Sequence, residues 1–323
     1  MRIFIAGATG ALGRRLVPRL VAGGHQVVGM TRSPDRAAGL RAVGAAPVVA
    51  DAFDREAVVD AVRRAEPEVV VHQLTALSDQ LDLRKFDESF ALTNRLRTEG
   101  TDNLLAGARA AGARRFVAQS FTGWTYARVG GPVKTEEDPF DPDPPEALRR
   151  TLDAIRRLEA TVTGADGIAG VVLRYGGFYG PGTSLGEGGV QTEMVARRRF
   201  PIVGDGAGVW SLIHIDDAAT ATVAAIERGA PGIYNIVDDE PASVATWLPV
   251  LAEAIGAKPP MRVPAWLARY LVGEHGVVLM TEIRGASNAK AKRELGWKPA
   301  YPSWRQGFAH GLADPPGRHA GAA

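Results

Sequence analysis

Three glycines near the start of the chain have the spacing of a turn that binds pyrophosphate. Gly7, Gly10 and Gly13 recur at every third position. In such a turn Gly7 permits the tight bend, Gly10 lets the phosphates approach the backbone, and Gly13 lets a helix pack closely on a strand. The turn leaves free backbone N–H groups at the positive end of a helix dipole, so the pattern predicts a dinucleotide site.

The residues on either side supply the strand and the helix that this turn needs. Residues 2–6 are short, mostly apolar and bounded by glycine, which is typical of a buried parallel strand. In 11–21, apolar residues recur at helical spacing. The glycine spacing differs from the usual G-x-G-x-x-G, but its position directly behind a strand strengthens the signal. The alternative is a tight strand-to-helix turn that binds no ligand.

A basic residue follows the second predicted strand, at the point that faces the adenosine ribose. The strand at 25–30 ends in Thr-Arg-Ser-Pro, and Arg32 lies about 20 residues beyond Gly13. An acid at this point accepts from the ribose 2′-hydroxyl, whereas arginine suits a 2′-phosphate. With Arg36 nearby and no acid at the strand end, we expect NADP, with NAD possible. The alternative is a solvated loop arginine.

Further cofactor contacts are expected where the following strands end. Asp51 follows a short strand at 47–50 and can accept from the adenine amino group, and strands at 68–71 and 114–119 end in polar residues. Cofactors lie at this carboxyl edge of a parallel sheet. The expected cofactor-binding residues are Gly7, Thr9, Gly10, Ala11, Leu12, Gly13, Arg32, Asp51, Ala52, Gln73, Leu74, Thr75, Asn94 and Ser120.

Short apolar strands alternate with helical segments through the first half of the chain. This alternation predicts an α/β fold with a doubly wound, Rossmann-type parallel sheet covered by helices on both faces. The second half has fewer alternations and more loops, which indicates a smaller C-terminal substrate domain. We predict a dinucleotide-binding domain from 1–175 and 209–240, and a substrate domain from 176–208 and 241–323.

Bulk composition excludes several classes of function. The chain of 323 residues has a net charge of +2 and no long basic run, which disfavours nucleic acid as a partner. It has no cysteine, and its six histidines show no close pair, so neither a disulfide nor a metal site is expected. No apolar run is long enough to span a membrane and no signal peptide is visible, so we expect a cytoplasmic protein.

Taken together, these motifs resemble the extended short-chain dehydrogenase/reductases of the NAD-dependent epimerase/dehydratase type, over nearly the whole chain. Besides the glycine turn, Asp51 and Asn94, the resemblance is carried by Leu173-Arg174-Tyr175, Tyr179-Gly180-Pro181-Gly182, Val203-Gly204-Asp205-Gly206, His214-Ile215-Asp216-Asp217 and the segment 288–297. It implies a Rossmann domain with a small C-terminal substrate domain. It also implies an oxidoreductase acting on a small carbonyl, hydroxyl or activated C=C or C=N substrate.

The resemblance breaks down at the catalytic pair. Members of this family usually carry a Ser/Thr after the fifth strand and a Tyr-x-x-x-Lys pair on the next helix. In them the tyrosine acts as acid or base, and the lysine lowers its pKa and holds the nicotinamide ribose. With Glu159 aligned to the acid four places after the lysine, Thr151 and Ile155 stand at the two positions. Neither a threonine hydroxyl nor an isoleucine can run that relay.

Three readings of the active site follow. Another group supplies the proton, with Tyr126, Tyr175 and Tyr179 as candidates because each lies just past a strand end. Alternatively, the substrate is activated enough that hydride transfer needs little acid catalysis, and Thr122 only orients it. In the third reading the protein is a catalytically silent NADP-binding sensor or interaction module. Each tyrosine is alternatively a packed aromatic whose hydroxyl is merely satisfied.

Two further features have a structural and a functional interpretation. Asp216 directly precedes an alanine-rich segment at 217–227, where it suits a helix N-cap better than a catalytic role shared with His214. Leu148, Leu152 and Ile155 line one face of a predicted helix and suit either the core or a dimer contact, so a monomer or a homodimer is expected.

Overall fold

The computed structural model describes residues 1–77 and 85–315. Its strands are β1 (Arg2–Ala6), β2 (Gln26–Thr31), β3 (Ala46–Val49), β4 (Val69–His72), β5 (Arg115–Phe121), β6 (Val133–Lys134), β7 (Ala169–Tyr175), β8 (Gly177–Tyr179), β9 (Ile202–Val203), β10 (Val209–Trp210), β11 (Leu212–His214), β12 (Gly232–Ile236), β13 (Ala242–Ser243), β14 (Arg262–Val263) and β15 (Gly285–Ala286). Its helices are α1 (Ala11–Ala22), α2 (Ala37–Ala42), α3 (Arg55–Ala65), α4 (Phe86–Arg95), α5 (Thr101–Ala110), α6 (Glu146–Thr163), α7 (Val190–Ala196), α8 (Ile215–Arg228), α9 (Val244–Ala254), α10 (Ala265–Thr281), α11 (Ala289–Leu295) and α12 (Trp304–His310).

Seven strands form one sheet in the order β12-β7-β5-β4-β1-β2-β3. Every pairing in it is parallel, as the alternation of apolar strands and helices predicted. The chain winds outward from β1 in one direction through β2 and β3, and in the other through β4 and β5. The order therefore reverses between β1 and β4, which is where ligands bind in open α/β sheets.

Helices cover both faces of this sheet through two separate apolar clusters. One packs α1 and α8 against the sheet around Ile5, Leu16 and Ile213, and the other packs α3 and α5 against it around Phe4, Val62 and Leu104. The four residues of β4, Val69–His72, are all buried. Strands buried on both faces read as continuous apolar runs, which is why their alternation with helices was visible in the sequence.

A third apolar cluster belongs to the second half of the chain. It gathers residues of α9, α10 and α12 with Tyr179, Leu185 and Val203, and it is distinct from the clusters on the two sheet faces. Short two-stranded pairings, such as β9 with β14 and β10 with β13, join segments of this region. The division of the chain into two domains at the boundaries given above stays a prediction.

Two local predictions have clear outcomes in the structure. Leu148, Leu152 and Ile155 are fully buried within the chain, so they belong to its core and offer no surface to a second copy. The prediction that Asp216 caps a helix at 217–227 is wrong, because α8 begins at Ile215 with His214 as its N-cap. Asp216 instead accepts from Arg19 Nη2 at 2.8 Å, so a charged partner from α1 takes its carboxylate away from the helix end.

Among the described residues, the model contains no helix with the length and apolar character that crossing a membrane requires. Between β4 and β5 the chain forms α4, a π-helical turn Leu96–Gly100 and α5. Residues 78–84 lie outside the described part of the chain.

Candidate functional site

The glycine turn closes as predicted and leaves the start of α1 open. Gly10 N donates to Gly7 O at 3.1 Å, and Gly7 has a φ of 93°, a conformation that favours glycine. Gly10 is the N-cap of α1, but no side chain caps this helix and no acid lies in its first turn. The first N–H groups of α1 are therefore available to an anion, which the helix dipole also attracts.

The three glycines are required for different physical reasons. A Cβ on Gly13 would lie 2.3 Å from Gly7 O, and a Cβ on Gly7 would lie 2.5 Å from Gln73 O, so both are needed for packing. A Cβ on Gly10 would meet only Gly7 O, at 3.4 Å, and would otherwise point into open space. The missing side chain of Gly10 therefore leaves space that a ligand can fill, as a pyrophosphate-binding turn requires.

The end of β2 presents an exposed cation. Arg32 and Arg36 are both exposed, and within the described part of the chain Arg32 forms no hydrogen bond or ion pair. Thr31 stabilises this loop, because its hydroxyl accepts from Ser33 N at 3.2 Å. The exposed Asp51 accepts from Phe53 N at 2.9 Å, and the carbonyl of buried Ala52 accepts from Asn103.

The loop after β4 runs directly beside the glycine turn. Gln73 N donates to Ala6 O at 2.8 Å, and the buried Gln73 side chain donates to the Tyr175 hydroxyl while its Oε1 has no partner among the described residues. Leu74 N donates to His72 Nδ1, and Thr75 is exposed. An unpartnered buried amide oxygen next to the turn is a polar atom available to a ligand.

Two further predicted cofactor-binding residues, Asn94 and Ser120, form hydrogen bonds with neighbouring side chains. Asn94 Nδ2 donates to Thr151 Oγ1 at 3.0 Å. Ser120 is buried, and its hydroxyl donates to Glu159 Oε1 at 2.6 Å. Glu159 also forms a buried, bidentate ion pair with Arg174, with Nη2 to Oε2 at 2.6 Å. This polar cluster joins β5, β7 and α6 below the carboxyl edge of the sheet.

The four predicted catalytic residues are all buried. The Tyr126 hydroxyl donates to Asn235 Oδ1 at 2.8 Å and accepts from Arg174 Nη1 at 3.0 Å, and burial raises its pKa despite the nearby arginine. Thr122 lies beside Tyr126, and among the described residues its hydroxyl meets the geometry of no hydrogen bond. Thr122 and Tyr179 are therefore the two candidates whose hydroxyls have no partner among the described residues.

The two other tyrosines are held in different surroundings. The Tyr175 hydroxyl bonds with Thr222 Oγ1 at 2.7 Å and accepts from Gln73, and complete burial raises its pKa. Tyr179 packs edge-on against His214 and Phe308, with ring centroids 5.3 and 5.4 Å away, and burial raises its pKa as well. A phenol whose pKa is raised donates its proton less readily, so burial makes both groups poorer acids.

The His-x-Asp-Asp segment acts in the architecture of the fold. His214 Nδ1 accepts from Asp216 N, and its Nε2 bonds with Gly311 O at 2.9 Å. Asp217 accepts from the backbone N–H groups of Ala300 and Tyr301 at 2.7 and 2.8 Å. These contacts tie the start of α8 to the C-terminal segments, and they leave no free imidazole for catalysis.

The two residues that the sequence predicted at the positions of the usual tyrosine and lysine, Thr151 and Ile155, are both buried. Thr151 is 1% exposed and its hydroxyl is tied to Asn94, while Ile155 is completely buried in the core. Sequence reasoning missed Arg97, which is 8% exposed and donates from Nη1 to Asn94 Oδ1 at 3.1 Å. The available signal was its spacing from Asn94, which puts both residues on the same side of a helix.

Comparisons with known proteins decide the family. The model of the NAD dependent epimerase/dehydratase family matches residues 3–237. The chain belongs to this family. Its members depend on NAD(P), and the chain is an oxidoreductase of the epimerase/dehydratase type.

Relatives with names and structures agree with this assignment. A 3-diazoavenalumate denitrifying reductase of Streptomyces sp is 48% identical over 311 residues, covering 95% of this chain and 99% of that protein. The UDP-glucose 4-epimerase of Thermus thermophilus, solved with NAD, has a TM-score of 0.71 at 25% identity and covers 97% of this chain and 98% of its own. A human epimerase family protein solved with NADPH has a TM-score of 0.72 at 20% identity, covering 96% of this chain and 98% of its own, and shares the fold.

Proposed function

We propose that this protein is an NADPH-dependent reductase that replaces the dinitrogen of an aromatic diazo compound by hydrogen. The observation that carries the proposal is the pair of buried residues, Thr151 and Ile155, at the positions where a proton relay would stand. When a carbonyl reductase transfers hydride to its substrate, the carbonyl oxygen becomes an alkoxide, and this alkoxide must take up a proton. A family member without that relay suits an electrophile that accepts hydride and needs no proton.

A diazonium group meets this requirement. In its reduction a C–H bond forms to the hydride, the C–N bond breaks, and the electron pair of that bond leaves with neutral dinitrogen. The substrate cation and the hydride cancel in charge, so no proton enters the reacting atoms. The relative from Streptomyces sp is named as a denitrifying reductase of a diazo compound, which supports this substrate class for a chain 48% identical to it.

The cofactor, when bound, supplies the hydride, and the chain supplies the surface that holds it. The glycine turn and the uncapped start of α1 suit its pyrophosphate, with Gly10 leaving the space. The exposed Arg32 suits a 2′-phosphate. No acidic residue lies between the end of β2 and the helical turn Pro34–Arg36 that follows it. Gln73 carries a buried oxygen without a partner, among the described residues, beside the turn. These features together favour NADP over NAD.

Three aromatic side chains pack together at the end of β5, and we propose that the reacting ring of the substrate lies beside them. Phe121 ends the strand and contacts Trp124 edge-on with ring centroids 6.4 Å apart, and Trp124 contacts Phe86 in the same way at 6.1 Å. Phe121 folds over Gly123, where a Cβ would meet the ring at 2.2 Å. Such edges and faces favour a flat aromatic substrate. We propose that Thr122 orients this substrate and that the second half of the chain closes over it.

The test measures the stoichiometry of the proposed reaction. Purified protein is mixed with NADPH and an arenediazonium ion that carries an ortho hydroxyl group, which stabilises it in neutral water. Loss of NADPH absorbance, dinitrogen release and the appearance of the denitrified arene are followed together. The proposal predicts a ratio of one to one to one, with NADH far less effective.

Two controls separate enzymatic reduction from the direct reaction of a diazonium ion with NADPH. Reaction without protein gives the background rate. The variant Gly10→Asp, which we expect to fold but not to bind the cofactor, must fall to that background. Turnover of simple ketones at rates comparable to the diazonium, or no diazonium turnover above background, would contradict the proposal.

A further inference from the structure

Arg97 is a buried cation without a full set of partners. It lies on the π-helical turn Leu96–Gly100 between α4 and α5 and is 8% exposed. Within the described part of the chain, its guanidinium makes a single side-chain hydrogen bond, from Nη1 to Asn94 Oδ1. A guanidinium has five N–H donors, so most of them have no acceptor in that part of the chain. Such a group is costly to bury unless another partner completes it.

The acid whose charge acts on Arg97 does not provide that partner. Glu159 is close enough to favour the charge on Arg97, but its two oxygens are taken by Arg174 and Ser120. Burial nonetheless dominates and lowers the pKa of Arg97 to about 10, which still leaves it a cation at neutral pH. The guanidinium is thus charged, and its charge is only partly balanced by neighbouring groups. Its hydrogen bond to Asn94 orients it.

Its location follows the line that a dinucleotide takes across the sheet edge. The glycine turn contacts Gln73 through the close approach of Gly7. The preceding residue, His72, ends β4, bonds through Nε2 with Leu96 O and lies in the field of Arg97. From Arg97 the contacts continue through Asn94 to Thr151 on α6. Arg97 therefore lies between the end of β4 and the position that a relay tyrosine would occupy.

We infer that Arg97 binds the ribose on the nicotinamide side of the cofactor and so performs the anchoring role for which Ile155 is unsuited. A ribose carries two hydroxyl oxygens that accept from a forked donor, and only a ligand lying against the sheet edge reaches a residue this deeply buried. The π-helical turn is consistent with this, since such turns occur mostly at functional sites. The inference rests on the cofactor of the family and not on the diazo substrate.

The experiment compares two ligands on three variants by titration of intrinsic fluorescence. NADPH contains the nicotinamide ribose, whereas 2′-phospho-ADP keeps the adenosine phosphates and lacks it. Arg97→Met should weaken NADPH binding by about 10- to 100-fold, the cost of a charge-assisted hydrogen bond, and leave the fragment within about threefold of wild type. Arg97→Lys should restore part of the affinity, and the exposed Arg109→Met should change neither.

Each other result overturns the inference in a recognisable way. Equal losses for both ligands would mean that Arg97 only maintains the fold. Unchanged NADPH affinity with a raised KM for substrate would mean that it binds the substrate. A wild-type protein that binds NADPH but reduces no diazonium ion would refute the proposed function and leave the role of Arg97 to be decided by the same titration.

Discussion

The amide of Asn94 donates to the hydroxyl of Thr151 across 3.0 Å, at the position predicted from the sequence for the family's usual tyrosine. This bond fixes the threonine hydroxyl as an acceptor on a buried helix face and ties it to the chain rather than to a substrate. Through Arg97 it also connects that face to a cation. The described part of the site around Thr151 is therefore polar, and its side chains are held by hydrogen bonds to one another.

The first prediction concerns Thr151. Thr151→Val removes the hydroxyl at nearly constant volume, and kcat/KM for an arenediazonium ion should stay within about threefold because no proton is delivered there. Loss of a general acid costs about 10²- to 10⁴-fold, so a drop of 100-fold or more would show that the hydroxyl takes part. Thr163→Val, at the end of the same helix, provides the matched control because its hydroxyl bonds only to Glu159 O among the described residues.

Gly10→Asp should have opposite effects on folding and on cofactor binding. Gly10 has φ −73° and ψ 177°, which suits an Asp N-cap, and its Cβ would meet only Gly7 O at 3.4 Å. Thermal stability should be unchanged or slightly higher, while the added carboxylate should weaken NADPH binding at least about 100-fold through repulsion of the pyrophosphate. Ser243→Asp adds the same charge at the N-cap of α9 and should leave binding intact. Retained NADPH affinity in Gly10→Asp would contradict the site.

Arg32 should determine the preference between the two cofactors. Arg32→Ser should raise the Kd for NADPH by about 10- to 100-fold, because the 2′-phosphate loses a charged donor, and should leave the Kd for NADH nearly unchanged. Arg41→Ser, an exposed arginine on α2, serves as the control. Isothermal titration calorimetry measures all six dissociation constants, for wild type and the two variants with each cofactor. A wild-type protein that binds NADH as tightly as NADPH would refute the preference.

His72 should make stability depend on pH. Burial lowers its pKa to about 4, whereas the unfolded value is about 6.5, so its neutral form stabilises the fold fully above pH 6.5. As the pH falls toward 4, the unfolded chain takes up a proton that the folded chain does not. This costs the fold about 2 kcal/mol between pH 7 and pH 5.

Urea unfolding at these two pH values measures the effect. His72→Gln keeps a donor for Leu96 O but cannot titrate, so its free energy of unfolding should fall by about 2 kcal/mol less than that of wild type over this range. The exposed His310→Gln should behave like wild type. Equal slopes for all three proteins would contradict the role of His72.

Local pattern was enough to predict the framework of the site. The glycine turn, the strand ends and the parallel sheet follow from spacing within a few residues, and the structure has them where the pattern indicated. The cap of α8 was mispredicted because this helix begins at Ile215, before the alanine-rich segment, and has His214 as its N-cap.

The hydrogen bonds inside the site could not be predicted from local sequence patterns. The hydroxyls of Tyr126 and Tyr175 find partners on β12 and α8, far along the chain, and these bonds decide how available each group is. The isolation of Arg97 depends on Glu159 being already paired with Arg174. Such facts arise from packing between distant segments, and no spacing rule within one element reports them.

The central claim, that hydride from NADPH replaces dinitrogen with no proton from the protein or the solvent, is tested most directly by isotope placement. The arenediazonium ion is reduced once with NADPH deuterated at C4 of the nicotinamide in ordinary water, and once with unlabelled NADPH in D₂O, and the arene is examined by mass spectrometry and NMR. The account predicts one deuterium on the former diazo carbon in the first reaction and none there in the second. Deuterium arriving from D₂O, or none from the labelled cofactor, would contradict it.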